Sequence, residues 1–304
     1  VLQDGSRRSF AEGTPLETVS EALSGKARRE LVAFKIDGRL HDVRQVAPAA
    51  GEMRPVTVKD EEALEVLRHS ASHLMALAVH GLFPEAKFGI GPAIADGFYY
   101  DILLDRSLLP EDLERIEERM ASVLAGDPPA FTREELPSGE AASLFERLAQ
   151  PFKIELIRDI GAETVSIYRL GEFVDLCAGP HLPDIHMVKA FKLMSIAGAY
   201  WRGDERNQMM QRIYGTAFFS DADLKKELVR REEAKRRDHR RLGPQLELFD
   251  IKEEAGGGLV FWYPKGYLLR ETIENFWKEE HRRRGSELIM TPHIARSNRR
   301  HTSG

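Results

Sequence analysis

Two short runs hold most of the residues in this chain whose types and spacing can do chemistry. The first is His69-Ser70-Ala71-Ser72-His73. On a helix, positions i and i+4 lie about 40° apart around the axis and one turn apart in height, so both imidazoles can converge on one atom. No glutamate stands beside them to serve as general base, which excludes the zinc-peptidase motif. The second run is Asp175-Leu176-Cys177-Ala178-Gly179-Pro180-His181. Gly179-Pro180 forbids a helix, so Cys177 is expected to end a strand and His181 to reach back from a tight turn. Together His69, His73, Cys177 and His181 have the ligand chemistry of zinc, or of a polar hydrolytic pocket built from the same groups. Each pair also has a plain reading: histidines satisfied by separate partners, and a cysteine packed in a core.

The elements that must position these residues follow from the hydrophobic pattern. Asp60 is expected to cap a helix from Glu61 to about Phe83, with Leu64, Leu67, Ala71, Leu74 and Ala78 at three-to-four spacing. Strand-like segments follow at Lys87–Ile90, Phe98–Ile102, Phe152–Leu156, Val165–Arg169 and Phe173–Cys177, interleaved with helical patterns at Pro110–Ala125 and Glu140–Ala149. That is an α+β domain running from residue 61 to about 220. Ahead of it, residues 1–60 read as a small module. Asp4-Gly5 and Asp37-Gly38 are hairpin signals, Thr14-Pro15-Leu16-Glu17 reads as a capping box, and Pro55–Val58 is a further strand. The outline is a ubiquitin-like β-grasp, a type of module that mostly serves as a binding adaptor. After residue 220 the pattern is one polar helix, Asp221–Leu242, then an amphipathic helix from about Tyr267 to Arg284 and a strand Glu287–Met290.

Composition bounds the rest. The chain has 304 residues, 42% hydrophobic and 31% charged, which excludes disordered and fibrous classes and predicts two or three domains. No apolar run approaches the roughly 20 residues of a membrane span, and the first residues do not read as a signal peptide. The one cysteine excludes an internal disulfide and fits a reducing compartment, so a cytoplasmic location is expected. Net charge is −5, yet Lys225–Arg241 holds nine Lys/Arg against four Asp/Glu, a local +5 that leaves the remainder at −10. A basic stretch on an acidic chain is the pattern of a localised polyanion contact, or else of a solvated helix face.

Four ordered motifs reach a family. HSASHLMALAV with FGIGPAIADGFYYD, then FVDLCAGPH, then SIAGAYWRGDERNQMMQRIYGTAF, closely resemble the amino-terminal half of bacterial threonyl-tRNA synthetases. The resemblance runs from the first module, similar to that family's TGS domain, through residues 61–220, similar to its editing domain. It continues along the polar linker helix, 221–243, into 244–304, where GLVFWYPKGYLLRETIENFWKEEHRRRGSELIMTPHI resembles the first class II synthetase motif. The HxxxH/CxxxH pair alone is shared with alanyl-tRNA editing proteins. The family's later motifs for ATP and amino acid, and its downstream catalytic-core zinc ligands, have no counterpart in this sequence, and 297–301 departs from the family pattern. Adenylate synthesis, with its ATP and magnesium, is therefore expected only of a longer parent enzyme, as is the homodimer.

The resemblance implies a chemistry. Threonine and serine differ by one methyl, worth about 1–3 kcal/mol, too little for translation. A second sieve must admit serine, exclude threonine and hydrolyse the seryl ester on tRNA(Thr). It assigns the pocket to His69, His73, Lys153, Asp175, Cys177 and His181. His69 and His73, titrating near neutrality, would position and deprotonate water; Lys153 would carry a proton or meet the oxyanion; Asp175 would hold the substrate ammonium or orient an imidazole. Cys177 and His181 would close the pocket around the seryl side chain. Zinc on His69, His73, Cys177 and His181 is possible, but editing is expected to need no cofactor. Tyr99 or Tyr100 is a candidate to stack on the terminal adenine. The basic helix, with Lys225, Lys226, Arg230, Arg231, Lys235, Arg236, Arg237, Arg240 and Arg241, is the candidate contact for the tRNA acceptor arm, without base-specific readout. Competing readings are a non-catalytic tRNA-binding or regulatory module and a free-standing editing hydrolase.

Overall fold

The fold is described from a computed structural model, for residues 9–47, 52–252, 256 and 258–290. The chain divides into two compact units, 1–227 and 228–304, and its elements mix helices with several small antiparallel sheets.

The first unit opens with short helices α1 (Leu16–Glu21) and α2 (Gly25–Glu30) and strands β1 (Leu31–Ile36), β2 (Arg39–His41) and β3 (Met53–Thr57). The strands form one sheet in the order β2–β1–β3. Asp37-Gly38 makes the expected hairpin, both residues in the left-handed region that this turn demands. β1 is buried on both faces. Phe34 and Ile36 join a core with Leu16 and Val19, whereas Val32 and Ala33 join the larger core of the unit. The Asp4-Gly5 hairpin lies outside the described residues, and Ser9 and Phe10 are in no strand. The capping box at Thr14 does not form. Its hydroxyl donates to the Ala11 carbonyl, closing a turn, and α1 starts at Leu16 without a side-chain cap. Gly25 begins α2, capped by Ser24.

Helix α3 (Ala63–Leu82) is the spine of the unit. Leu67, Ala71, Leu74 and Ala78 are fully buried at the predicted spacing; truncating one such leucine to alanine costs about 2–5 kcal/mol. Asp60 does not cap it by side chain. Its carboxylate instead accepts from the backbone N–H and hydroxyl of Thr57, and only its backbone carbonyl meets Ala63. Against α3 lie β4 (Lys87–Phe88), β5 (Ala93–Ile94), β6 (Gly97–Leu103), β10 (Ala190–Tyr200) and β11 (Met209–Phe218), in the order β10–β11–β6–β4 with β5 on β6. Helix α4 (Pro110–Ala125) has the predicted bounds. A second sheet, β7 (Phe131–Pro137), β8 (Thr164–Leu170) and β9 (Phe173–Leu176), is accompanied by α5 (Ser138–Arg147) and α6 (Pro151–Ile160).

Helix α6 overturns the strand expected at Phe152–Leu156. Pro151 stands at the first helical position and Gly161 closes the helix in the left-handed conformation. Phe152 and Ile157 are buried from one short apolar run whose period does not separate strand from helix. The long strands β7, β10 and β11 carry no clean alternation, because polar residues, glycines and alanines interrupt their apolar positions.

Helix α7 (Asp221–Arg236) runs across the division between the units and buries none of its residues. It does not continue to Leu242. Asp238 accepts the Arg240 N–H at 2.8 Å and starts a separate helix, α8 (His239–Gln245), because an aspartate offers the backbone a cap that competes with helix continuation. The second unit continues with the hairpin β12 (Phe249–Ile251) and β13 (Val260–Trp262) and helix α9 (Pro264–Arg283). The strand expected at Glu287–Met290 is absent. Among the described residues it has no partner with which to form a ladder. No described helix is long and apolar enough to cross a membrane.

Candidate active site

The two chemistry-bearing runs meet. His69 and His73 face inward from α3. Asp175 lies in β9 and Cys177 directly follows it, anchored by an exchange with Ser166: the Cys177 N–H donates to the Ser166 carbonyl, and the Ser166 hydroxyl donates to the Cys177 carbonyl. The chain then turns as expected. Gly179 has φ 71°, and a Cβ there would stand 2.3 Å from the Tyr168 hydroxyl, so conformation and space both demand glycine. The turn brings His181 back to α3, where the Leu182 N–H donates to Ser70 Oγ at 2.8 Å.

The donor atoms of His69, His73, Cys177 and His181 all lie within 4.8 Å of one another. Cys177 Sγ is 3.3 Å from Nε2 of both His69 and His181. The surrounding hydrogen bonds assign the tautomers. His69 Nδ1 faces the Pro180 carbonyl, which can only accept, so Nδ1 carries the hydrogen. His181 Nδ1 faces Ser70 Oγ, whose own hydrogen is given to the Val66 carbonyl, so again Nδ1 donates. Both Nε2 lone pairs therefore point at the sulfur.

Behind this cluster lies a buried ionic group. Lys153 is fully enclosed on α6, with its ammonium ion-paired to Asp175 and donating to the Gly89 carbonyl at 2.6 Å and to Tyr100 Oη at 3.1 Å. All three ammonium hydrogens are thus engaged. Asp175 also accepts from the Tyr100 hydroxyl and stands 3.3 Å from His73 Nε2. The carboxylate faces an imidazole, a lysine and a phenol; of the two roles expected of it, orienting an imidazole matches these contacts.

Burial sets the protonation states. It drives all three histidines below the ordinary imidazole value, His73 and His181 well below; His69 lowers His73 further, and both lower His181, while the Asp175 charge partly offsets the burial of His69. The expectation that His69 and His73 titrate near neutrality is therefore corrected: burial lowers both, His73 much further, which favours the neutral rings. Burial, reinforced by the Asp175 charge, pushes the Cys177 thiol up, so it is protonated at neutral pH. Burial beside Asp175 likewise holds Tyr100 as a phenol.

Three imidazoles and a thiol suit zinc by donor chemistry. The two 3.3 Å sulfur–nitrogen separations are a little shorter than the tetrahedral sulfur–nitrogen edge of about 3.5–3.6 Å that zinc bond lengths give with these donors. With Asp175 on His73 Nε2, the nitrogen left for an ion on that ring is Nδ1. A cleft of about 210 Å³ lined by Glu65, Val66, His69, Pro92, Ala93, Gly179 and Pro180 opens beside the cluster.

Of the remaining expected residues, Tyr100 belongs to this buried group and the others are at least partly exposed. Phe98 and Tyr100 share the buried face of β6, which closes Tyr100 to stacking, while Tyr99 is partly exposed with the Arg212 guanidinium 3.9 Å over its ring. Lys225, Lys226, Arg230, Arg231, Lys235, Arg236 and Arg237 lie on α7, and Arg240 and Arg241 on α8; all are exposed except Arg231, which is half-buried. Glu232 and Glu233 pair with Arg236 and Arg237 one turn on. Several site residues were not legible from motif spacing. Ser70 sits inside the first motif and fixes His181, and Phe131 stacks on His181 with ring centroids 4.3 Å apart. Asp42 and Arg44 reach the site from 139 residues upstream, with no local signal.

Residues 165–214 match the family described as the threonyl and alanyl tRNA synthetase second additional domain. That span includes Asp175, Cys177 and His181. Over 294 residues the chain is 50% identical to the threonine–tRNA ligase of Pelobacter propionicus, covering 97% of this chain and 46% of that protein. Over 304 residues it is 49% identical to the threonine–tRNA ligase of Acidithiobacillus ferrooxidans, covering 100% and 47%. The chain spans about half the length of the curated relatives it matches. It is thus a homologue of the bacterial threonine–tRNA ligases over that half, and it carries the second additional domain that threonyl and alanyl tRNA synthetases share.

Proposed function

We propose that this chain is the amino-terminal part of a threonyl-tRNA synthetase and that residues 61–220 hydrolyse seryl-tRNA(Thr), the mischarged product. Residues 1–60 would be the TGS module, 221–243 the tRNA-contacting linker, and 244–304 the first segment of the class II catalytic domain, whose ATP, magnesium and homodimer belong to the longer parent, in the cytoplasm. The observation that carries the reading is the convergence of neutral imidazoles, a thiol and a buried lysine–carboxylate pair beside a cleft, in a chain about half identical to threonine–tRNA ligases.

The chemistry would use the chain's own residues. The seryl ester enters the cleft at His69. A water there donates to an imidazole lone pair, and the neutral ring accepts its proton as the hydroxide adds to the ester carbonyl; the adduct then collapses, its ester C–O bond breaks, and the imidazolium returns the proton to the departing ribose oxygen. His73, held by Asp175, supports that transfer electrostatically. Lys153 becomes an oxyanion donor only by exchanging one of its three present acceptors for the substrate, so its resting role is to hold Asp175. Zinc, if bound, would take His69, His73, Cys177 and His181; four protein ligands close its coordination shell, which suits a structural ion.

The test is single-turnover deacylation of seryl- and threonyl-tRNA(Thr) by the whole chain, with and without chelator. Seryl ester should disappear much faster, since steric exclusion of a methyl in a close-packed pocket exceeds what a missing methyl costs. Cys177→Ala, which enlarges the pocket, should raise the threonyl rate more than it changes the seryl rate. Equal loss of both esters by the unaltered chain defeats the assignment.

A further inference from the structure

A loop of the amino-terminal module enters the active-site turn. Asp42 and Arg44 directly follow β2, and the Asp42 side chain is fully buried. Its carboxylate has room for four hydrogen bonds and receives four. Oδ1 accepts from the Arg44 backbone N–H at 2.9 Å and its Nη1 at 2.8 Å. Oδ2 accepts from the His181 backbone N–H at 2.9 Å and the Tyr168 hydroxyl at 3.1 Å. Arg44 is equally saturated. Its Nε donates to the Phe131 carbonyl at 2.8 Å, Nη1 to Asp42 and more distantly to the His181 carbonyl at 3.5 Å, and Nη2 to the Leu182 and Pro183 carbonyls at 2.8 and 3.1 Å. Five N–H donors meet five acceptors.

Every carbonyl from His181 to Pro183, and the N–H of His181, is thus held by this pair. Phe131, whose carbonyl takes the Arg44 Nε, is the residue whose ring stacks on the His181 imidazole at an interplanar angle of 13°. Tyr168, which Asp42 holds by its hydroxyl, contacts the same imidazole from another side, with centroids 4.7 Å apart. Backbone and both aromatic walls of His181 are therefore tied to two side chains of a different module.

We propose that Asp42 and Arg44 are positioning residues of the hydrolytic site, clamping the His181–Pro183 backbone so that Nε2 of His181 faces Cys177. This rests on the editing reading, and it makes the amino-terminal module part of the site's construction rather than a separately attached adaptor. Neither side chain lines the cleft at His69, so the clamp acts on the geometry of reaction more than on binding. Lysine cannot replace Arg44, because three hydrogens on one nitrogen cannot span the spread of carbonyls. Asparagine at 42 places an amide N–H₂ where two donors already converge.

The experiment compares the chain with Asp42→Asn, Arg44→Lys and, as control, Arg28→Ala. Arg28 lines the same intermodule cleft as Arg44 and makes no hydrogen bond to 181–183. For folded Asp42→Asn and Arg44→Lys, kcat for seryl-tRNA hydrolysis should fall about 10–100-fold with KM within about threefold, the size found when supports of functional groups are removed. A second readout does not depend on turnover: alkylation of Cys177, the single cysteine, by iodoacetamide in the presence of chelator. It should accelerate at least tenfold in both variants and stay unchanged in Arg28→Ala. A purely structural role would lower the melting temperature yet leave both quantities near the unaltered values in the folded protein. Both within twofold in folded variants overturns the clamp. Should the 42 and 44 variants not fold, Tyr168→Phe, which removes one of the four donors to Asp42, carries the same two readouts with about a threefold effect, and no change there overturns it. Failure of the unaltered chain to hydrolyse seryl-tRNA would instead sink the editing reading, while the alkylation arm still decides the clamp.

Discussion

The buried cluster of the first unit and helix α9 of the second reverse the usual distribution of polarity. In the first, a lysine, an aspartate and two histidines are almost fully enclosed, with the lysine and one histidine against the aspartate. In α9, Leu268, Ile273, Phe276 and Trp277 are all more than half exposed, and only Gly266 is buried. Enclosure turns ordinary side chains into chemistry. It favours the neutral histidines and the protonated thiol and holds one lysine–carboxylate pair away from water. Charges on the solvated helices, by contrast, are screened and interchangeable.

The largest expected effect follows from that contrast. His69→Ala should reduce seryl-tRNA hydrolysis by about 100–10,000-fold, the span usual for loss of an acid–base group, with the circular dichroism spectrum retained. A mutant rate equal to that of the unaltered chain would remove the HxxxH pair from the mechanism. Next comes stability. Lys153→Met strands Asp175 in the interior and should cost about 3–5 kcal/mol by urea denaturation. Glu233→Ala, which breaks the exposed pair with Arg237, should cost no more than about 0.5 kcal/mol. Similar costs for the two would erase the distinction between the regions.

Acidification gives an intermediate effect. The folded histidines have lowered values, so the unfolded chain binds protons first as pH falls below about 6.5. The stabilisation is complete above that pH and shrinks as pH falls toward the folded values, by up to about 1.4 kcal/mol per pH unit for each histidine. Glu62 and Asp112, held at about 2 by hydrogen bonds from Lys35 and Arg106, add their own loss only in the carboxylate range. The urea midpoint should therefore be lower at pH 5.5 than at 7.5, and a flat profile over that interval would contradict buried, neutral imidazoles. The smallest effect concerns the solvated helices. Reversing the charges of Lys235, Arg236 and Arg237 should weaken tRNA association and reduce the slope of log K against log salt by up to about 0.9 for each phosphate that is no longer neutralised. An unchanged slope would leave α7 as a solvated face.

How much was legible from sequence depended on range. The HxxxH pair and the Cys-Ala-Gly-Pro-His turn are local: a helical period and a glycine–proline step place each half, and both halves lie where those signals point. Their convergence needed the family resemblance, since nothing in 69–73 specifies 177–181. Lys153 illustrates the failure of a short apolar run. Phe152–Leu156 read as a strand, and only the tertiary setting chose a helix that turns the lysine inward. Strands β10 and β11 were missed because their pattern is blurred by glycines and alanines. Asp42 and Arg44 could not be found at all, because a buried carboxylate in a loop looks like any turn aspartate until its four donors are assembled.

Proton inventory limits the cluster at Cys177. Its thiol carries a single hydrogen and faces two imidazole nitrogens at the same 3.3 Å, each presenting a lone pair. It can satisfy only one of them at a time. One thiol hydrogen is thus set against two lone pairs at equal distance. A single further donor at either ring would match the count.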